Sequence, residues 1–274
     1  MQGTAAISDE ASDYQIKNSL RFNHGDSPDL RHVPTASSSR KTWTFSAWIK
    51  RHLLGNDTGN AQVIFVQGDG SNASKIEWSN DTIHYSTNTG GSIIGATATT
   101  AVFRDPSAWY HVVVAHDTTQ SEASERLKIY VNGKLQALTT SNTIEQDQES
   151  HINSDFTSIL GGSPLHDGGR YCAMSIADVY LIDGAALYPA AFGTFDSNTD
   201  VWNPKDPYNE DGKFTVPAPN KGVTHSSTLT SSSGWNTGAP ADLFDGDTTS
   251  TINPTSGHTA VSYTHLTLPT TPYV

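Results

Sequence analysis

The sequence predicts an all-β protein, an antiparallel two-sheet jelly-roll sandwich with an irregular C-terminal extension. Three observations point there. Short segments rich in Val, Ile, Thr, Trp and Tyr recur at close intervals, and Gly, Asn, Asp and Pro punctuate them. The segment Leu127–Val131 runs straight into Asn132-Gly133, a dipeptide that accepts positive φ at both centres of a tight hairpin. Between Lys17 and Pro204 no helical periodicity extends beyond one turn. Many short strands without amphipathic helices describe a sandwich or jelly roll.

The elements follow in order. Ser19–Asn23 alternates as a first strand, and Asp29–Val33 forms a second, stopped by Pro34. In Thr42–Lys50 the residues Trp43, Phe45, Ala47 and Ile49 share one face at period two, with Trp48 opposite. That strand has apolar neighbours on both sides, as an inner strand does. His52–Asn60 is a loop, and Val63–Val66 is an apolar strand closed by Gly68-Asp69-Gly70. Lys75–Ser79 and Thr82–Ser86 pair across Asn80-Asp81. A further strand is expected near Ala98–Phe103, then Trp109–Asp117, then Leu127–Val131 with Leu135–Thr139 returning from the hairpin. Ser158–Leu160 precedes a Gly-rich loop to Gly169, Cys172–Asp183 is the last long strand or strand pair, and Leu187–Phe192 forms a short helical turn.

Composition narrows the function. The 274 residues carry 16 Lys and Arg against 28 Asp and Glu, a formal net charge of −12. With no cationic cluster longer than two, the general field repels a polyanion, so nucleic acid is not expected as a partner. No apolar run approaches the ~20 residues needed to cross a bilayer, and no membrane partner is expected. The lone Cys172 excludes an intrachain disulfide. The polar, acidic start lacks an apolar segment of the secretory type.

Several segments, in order, resemble the laminin-G-like branch of the concanavalin-A-like jelly rolls. They are Ser19–Phe22, Thr44–Lys50, Trp109–Val113 with Leu127–Gly133, and Ile176–Leu187. The wording of Arg40–Trp43 and Phe103–His111 is most similar to laminin-G-like proteins of marine bacteriophages. That resemblance implies a domain on a virion, tail fibre or other extracellular surface. Its implied partners are a glycan or another surface polymer, and other virion proteins. It further implies one Ca²⁺ at the sandwich rim.

Four regions are expected: 1–15 a flexible lead, 16–204 the jelly roll, 205–260 a linker with the start of a truncated second domain, and 261–274 a tail. The linker contains Pro204, Pro207, Pro217 and Pro219, and Gly238–Thr248 resembles the opening of a discoidin-like sandwich. Val261–Val274 resembles a translated sequencing adaptor.

Candidate chemistry is sparse. Sugars pack their C–H faces on aromatic rings, and Trp78, His84 and Tyr85 lie on one hairpin whose alternation leaves at least one outward. Trp43, Trp48 and Trp109 are expected in structural positions. Loop oxygens at Asp69, Asn72, Asp117 and Asp167 are candidate calcium ligands. His111 and His116, five apart on a strand, face opposite sides and cannot share a metal. Glu145 and Glu149 have the alternate spacing of a retaining glycosidase pair, which needs carboxyls roughly 5 Å apart. Their flanks, however, read as loop. A non-catalytic binding module is the leading expectation, a virion assembly domain the second, and a glycoside hydrolase using Glu145 and Glu149 the third.

Overall fold

A computed structural model describes residues 14–56, 61–163 and 170–207, together with short strands at 235–237, 253–254 and 264–265. Residues 1–13 of the expected 1–15 lead, the 238–248 segment and most of the tail lie outside these residues. Fifteen strands build the body: β1 (Leu20–Phe22), β2 (Leu30–His32), β3 (Thr42–Arg51), β4 (Gln62–Gly68), β5 (Ala73–Ser79), β6 (Thr82–Thr89), β7 (Ser92–Thr99) and β8 (Tyr110–Asp117). They continue with β9 (Leu127–Val131), β10 (Lys134–Leu135), β11 (Leu138–Asn142), β12 (Ser158–Leu160), β13 (Met174–Asp183), β14 (Gly193–Phe195) and β15 (Trp202–Pro204). The front sheet runs β1-β13-β3-β8-β9-β10, and the back sheet runs β11-β7-β6-β5-β4-β12-β2. All pairings within the two sheets are antiparallel. The all-β sandwich expected from the sequence is the fold observed.

Alternation decides which residues join the sheets. On β3, Trp43, Phe45, Ala47 and Ile49 are completely buried against the back sheet's Phe65, Ile76, Trp78, Ile83 and Tyr85. Phe45 stacks on Phe65 at 5.4 Å, and Trp43 meets Tyr85 at 5.9 Å. Each such side chain contributes roughly 1.5–3 kcal/mol through burial. Arg51, buried at the end of β3, donates to Asp81 Oδ1 (2.9 Å) and to the carbonyl of Phe103 (2.6 Å), and lies 4.7 Å over the Trp78 ring. The Asn80-Asp81 and Asn132-Gly133 turns have positive φ at both centres, as their sequences imply.

Two expectations are corrected. The strand expected near Ala98–Phe103 is β7, Ser92–Thr99, because Gly90-Gly91 (φ 59° and 79°) reverses the chain directly after β6. Phe103 leaves the sheet and packs edge-on against Tyr110. The return strand Leu135–Thr139 is two elements. After two residues paired with β9 the chain crosses the sandwich, and β11 pairs with β7 in the other sheet.

A third layer covers part of the front sheet's outer face. Leu187, Ala191 and Phe192 pack on Val113, Ala115, Tyr130, Tyr180 and Ile182. The Leu187–Phe192 turn is the short 3-10 helix Pro189–Ala191. Beyond it β14 and β15 form a hairpin, and Trp202 packs against Gly133 and Gly193, where a methyl group on either would overlap its ring.

Candidate functional site

The outward side of β3 carries Trp48, which stacks on His111 of β8 at 5.0 Å. The Trp202 ring lies nearly parallel to His111, with centroids 5.8 Å apart. Trp202 Nε1–H donates to His111 Nδ1 (3.0 Å). Indole nitrogen is only a donor, so Nε2 carries the imidazole proton and donates to Ser46 Oγ, 3.0 Å away. Burial drives the His111 pKa from 6.5 to about 3, which keeps the ring neutral.

Beside this stack lies a groove of about 610 Å³. Trp48, Trp109 and Ala177 line it, Tyr14–Ser19 form one wall, and Asn203 with Pro204 form another. This volume lies within the range of small-ligand sites. Trp109 is 36% exposed, so its ring is available from solvent. The sequence placed Trp109 among the structural tryptophans. It immediately precedes β8, before the strand enters the sheet.

The groove's edge holds a backbone outlier. β13 shifts register between Ala177 and Tyr180, and Asp178 there has φ 47°. Bulges re-aim side chains, and left-handed non-glycine residues cluster at functional sites. Tyr14 Oη donates to Asp178 Oδ2 at 2.8 Å. Burial and the adjacent carboxylate push the Tyr14 phenol well above its usual range, so it remains a donor. Nothing in the run Cys172–Asp183 signalled this bulge beyond an Asp within an apolar strand.

The expected stacking residues are placed differently. Trp78 and Tyr85 face the inter-sheet core and are buried, so neither ring offers a face to a ligand. The β5–β6 register puts Ile76, Trp78, Ile83 and Tyr85 on the core side. His84 is the outward member, with Nδ1 2.9 Å from Glu77 Oε1.

Among the calcium candidates, Asp69 and Asn72 share one turn, and Asp117 lies at the end of β8. Asp69 Oδ1 accepts the backbone N–H groups of Ser71 and Asn72 and the Asn72 side-chain amide, which closes a local turn. Asp117 accepts from Thr42, Thr119 and Gln120. Burial pushes its carboxyl up, but these hydrogen bonds outweigh it and hold the pKa below the usual value. As placed, both carboxylates serve turn donors. Asp167 lies outside the described residues. Among the described residues no group of three or more His, Cys, Asp or Glu side chains could hold a metal. His111 and His116 face opposite sides of β8, as their spacing implies. His116 stacks on Trp43 at 4.7 Å in the core.

The Glu145–Glu149 segment is loop, as its flanks imply. Glu145 and Glu149 are exposed and flank a turn in which Gln148 N–H donates to Glu145 O (3.3 Å) and Asp147 has φ 60°. Glu149 pairs with Arg40 at 2.9 Å. Residues 145 and 149 would share a face on a strand or a helix, and this segment is neither.

Residues 25–189, more than half of the chain, match the Laminin_G_3 family, described as the concanavalin A-like lectin/glucanases superfamily. Among solved structures, the CBM40 module of the Ruminococcus gnavus IT-sialidase bound to α2,3-sialyllactose aligns at 15% identity and TM-score 0.37. That alignment covers 55% of this chain and 90% of that one. Mouse laminin α1 domains LG4-5 align at 13% identity and TM-score 0.42, covering 76% and 48%. The binding domain of Paraclostridial Mosquitocidal Protein 1 aligns at 17% identity and TM-score 0.45, covering 63% and 41%. A search of curated protein sequences returned no match. The sandwich and the family match agree: the chain belongs to the Laminin_G_3 family of concanavalin A-like domains.

Proposed function

We propose that this chain is a non-catalytic binding module that takes a glycan or another surface polymer in the groove beside Trp48 and Trp109. The groove itself carries the reading. It pairs aromatic rings, which suit the C–H face of a pyranose, with the amides of Asn18 and Asn203, which suit its hydroxyls. Its walls, Tyr14–Ser19 and Asn203–Pro204, lie outside the family-matched span, while Trp48, Trp109 and Ala177 lie inside it. The exposed, ion-paired setting of Glu149 supports binding without hydrolysis. Display on a phage virion or other extracellular surface, with virion proteins as further partners, is the finer form of the proposal. It rests on the resemblance of Arg40–Trp43 and Phe103–His111. A rim Ca²⁺ remains part of it, to be tested by comparing melting temperatures with calcium and with chelator.

The test is calorimetric titration with cello-, laminari-, manno- and chitohexaose. The wild type is expected to bind at least one, and Trp109→Ala is expected to weaken that binding at least tenfold. An unchanged affinity in Trp109→Ala removes the groove from the account.

An assembly role is the second reading. Leu135, Phe195 and Val201 are exposed in the vicinity of Lys134, whose ammonium lies 5.8 Å over the Phe195 ring. A defined oligomer that Phe195→Ser dissociates would favour it.

A further inference from the structure

The outer face of the front sheet carries basic residues beside the groove. On β3 Trp43, Phe45, Ala47 and Ile49 face the core, so Trp48 and Lys50 face out. Ile176 and Phe22 also face the core, so Ser175 and Ala177 on β13 and Arg21 on β1 share that outer face. Arg21 pairs with Ser175, and Ser175 pairs with Lys50. The two cations therefore stand in one row, two strand spacings or about 10 Å apart. The next row, about 7 Å along the strands, holds Ala177 and Trp48 of the groove. Trp109 directly precedes Tyr110, the partner of Ile49, at the same end of β3 as Lys50. A third cation, the exposed Lys17, lines the groove itself.

These three are set apart from the rest of the charged surface. Among the described residues, Lys17, Arg21 and Lys50 make no hydrogen bond or ion pair through their charged groups, whereas most other Lys and Arg pair with carboxylates. His52 joins the same face, with Nε2 2.9 Å from Ser175 Oγ. Burial, and then the charges of Arg21 and Lys50, lower its pKa. The neighbouring carboxylates are already occupied. Asp105 is held below its usual range chiefly by Ser107, whose N–H and hydroxyl it accepts, with Lys50 a lesser influence. Asp178 at the groove edge accepts from Tyr14 Oη. Among the described residues no Asp or Glu lines the groove. Like charges gathered on one face without an ion-pair partner repel one another, and an oxyanion from outside relieves that repulsion. A guanidinium suits such a group, because its fork of N–H donors meets two oxygens at once. The net charge of −12 opposes an anion at long range, but a Debye length of about 8 Å at physiological salt leaves the local charges to decide.

We propose that the groove's ligand is an acidic polysaccharide, with Trp48 and Trp109 meeting sugar faces and Lys17, Arg21 and Lys50 taking carboxylate or sulfate groups along the chain. The assignment rests on the groove being a glycan site and adds the ligand's class to it.

Matched hexamers isolate the charge. Calorimetry at low salt compares mannohexaose with the mannuronic acid hexamer of the same linkage, and cellohexaose with its sulfated form. At least one acidic hexamer should bind about tenfold or more tighter than its neutral match, and the gain should shrink as sodium chloride is raised. A gain with the mannuronic acid hexamer alone assigns a carboxylate polymer, and a gain with sulfated cellohexaose alone assigns a sulfated one. Arg21→Gln combined with Lys50→Gln should abolish the gain and leave the neutral affinity unchanged. Lys17→Gln, on an exposed side chain, gives a smaller loss in the same direction if the double variant fails to fold. Equal affinities within both matched pairs overturn the acidic ligand and leave the groove standing, and so does a gain that the double variant leaves intact. Acidic binding that Trp109→Ala leaves unchanged overturns the groove and this assignment together, as does failure of all four hexamers to bind.

Discussion

Mild acid should destabilise this protein through two buried histidines. His111 stacks on Trp48, and its Nδ1 accepts the Trp202 indole N–H, a bond that only an unprotonated Nδ1 can accept. His116 lies in the core against Trp43, with Nδ1 3.0 Å from the Lys41 carbonyl, so Nδ1 carries its proton. Burial lowers the first from 6.5 to about 3 and the second from 6.5 to about 4, although the Lys41 carbonyl partly offsets the second shift. Both folded-state values lie below the unfolded one, so the unfolded chain takes up protons first. The stabilisation is complete above about pH 6.5 and is lost as pH falls toward the folded values. At about pH 5 each histidine has lost about 2 kcal/mol, together about 4 kcal/mol. That is a large share of a typical net stability of roughly 5–15 kcal/mol. His52 and His151 shift in the same direction, also through burial. Asp183, raised by burial, works the other way. Comparing variants at matched pH cancels such background. Urea unfolding at about pH 7.5 and about pH 5 should show a large drop for the wild type, and a drop about 2 kcal/mol smaller for His116→Phe. Equal drops in the two proteins would refute the assignment of a buried neutral His116.

Three further outcomes are expected. Gly133→Ala places a methyl group into Trp202 at φ 75°, and should cost roughly 1–3 kcal/mol and loosen the β14–β15 hairpin, read by urea midpoint and near-ultraviolet circular dichroism. Asp81→Ala strips the buried Arg51 of its carboxylate and should cost about 3–5 kcal/mol in the same unfolding assay. Glu149→Gln should leave glycan binding unchanged and should create or remove no hydrolysis, measured as new reducing ends, because its carboxylate is exposed and paired with Arg40.

The sandwich was legible because burial imposes a period on strands. The alternation Trp43-Phe45-Ala47-Ile49 named the core face of β3 outright, and the five-residue spacing of His111 and His116 separated their environments. Turns were legible where chemistry is local, as at Asn132-Gly133. The crossover to β11 was not, because Leu138–Asn142 has mostly polar, exposed residues and its partner β7 is distant in sequence. The site was harder still. Alternation says that Trp78 and Tyr85 lie on one side of their hairpin and His84 on the other, but not which side is the core. The groove joins residues 14–19, 48, 109, 177 and 203–204, and only the fold brings these together. The Asp178 bulge breaks the very periodicity from which faces are read.

The most direct test of the groove is the indole N–H spectrum of the protein titrated with whichever hexasaccharide binds. The Trp48 and Trp109 resonances should move on binding, with Trp43 and Trp78 still. Saturable binding that leaves Trp48 and Trp109 unmoved would contradict the groove site.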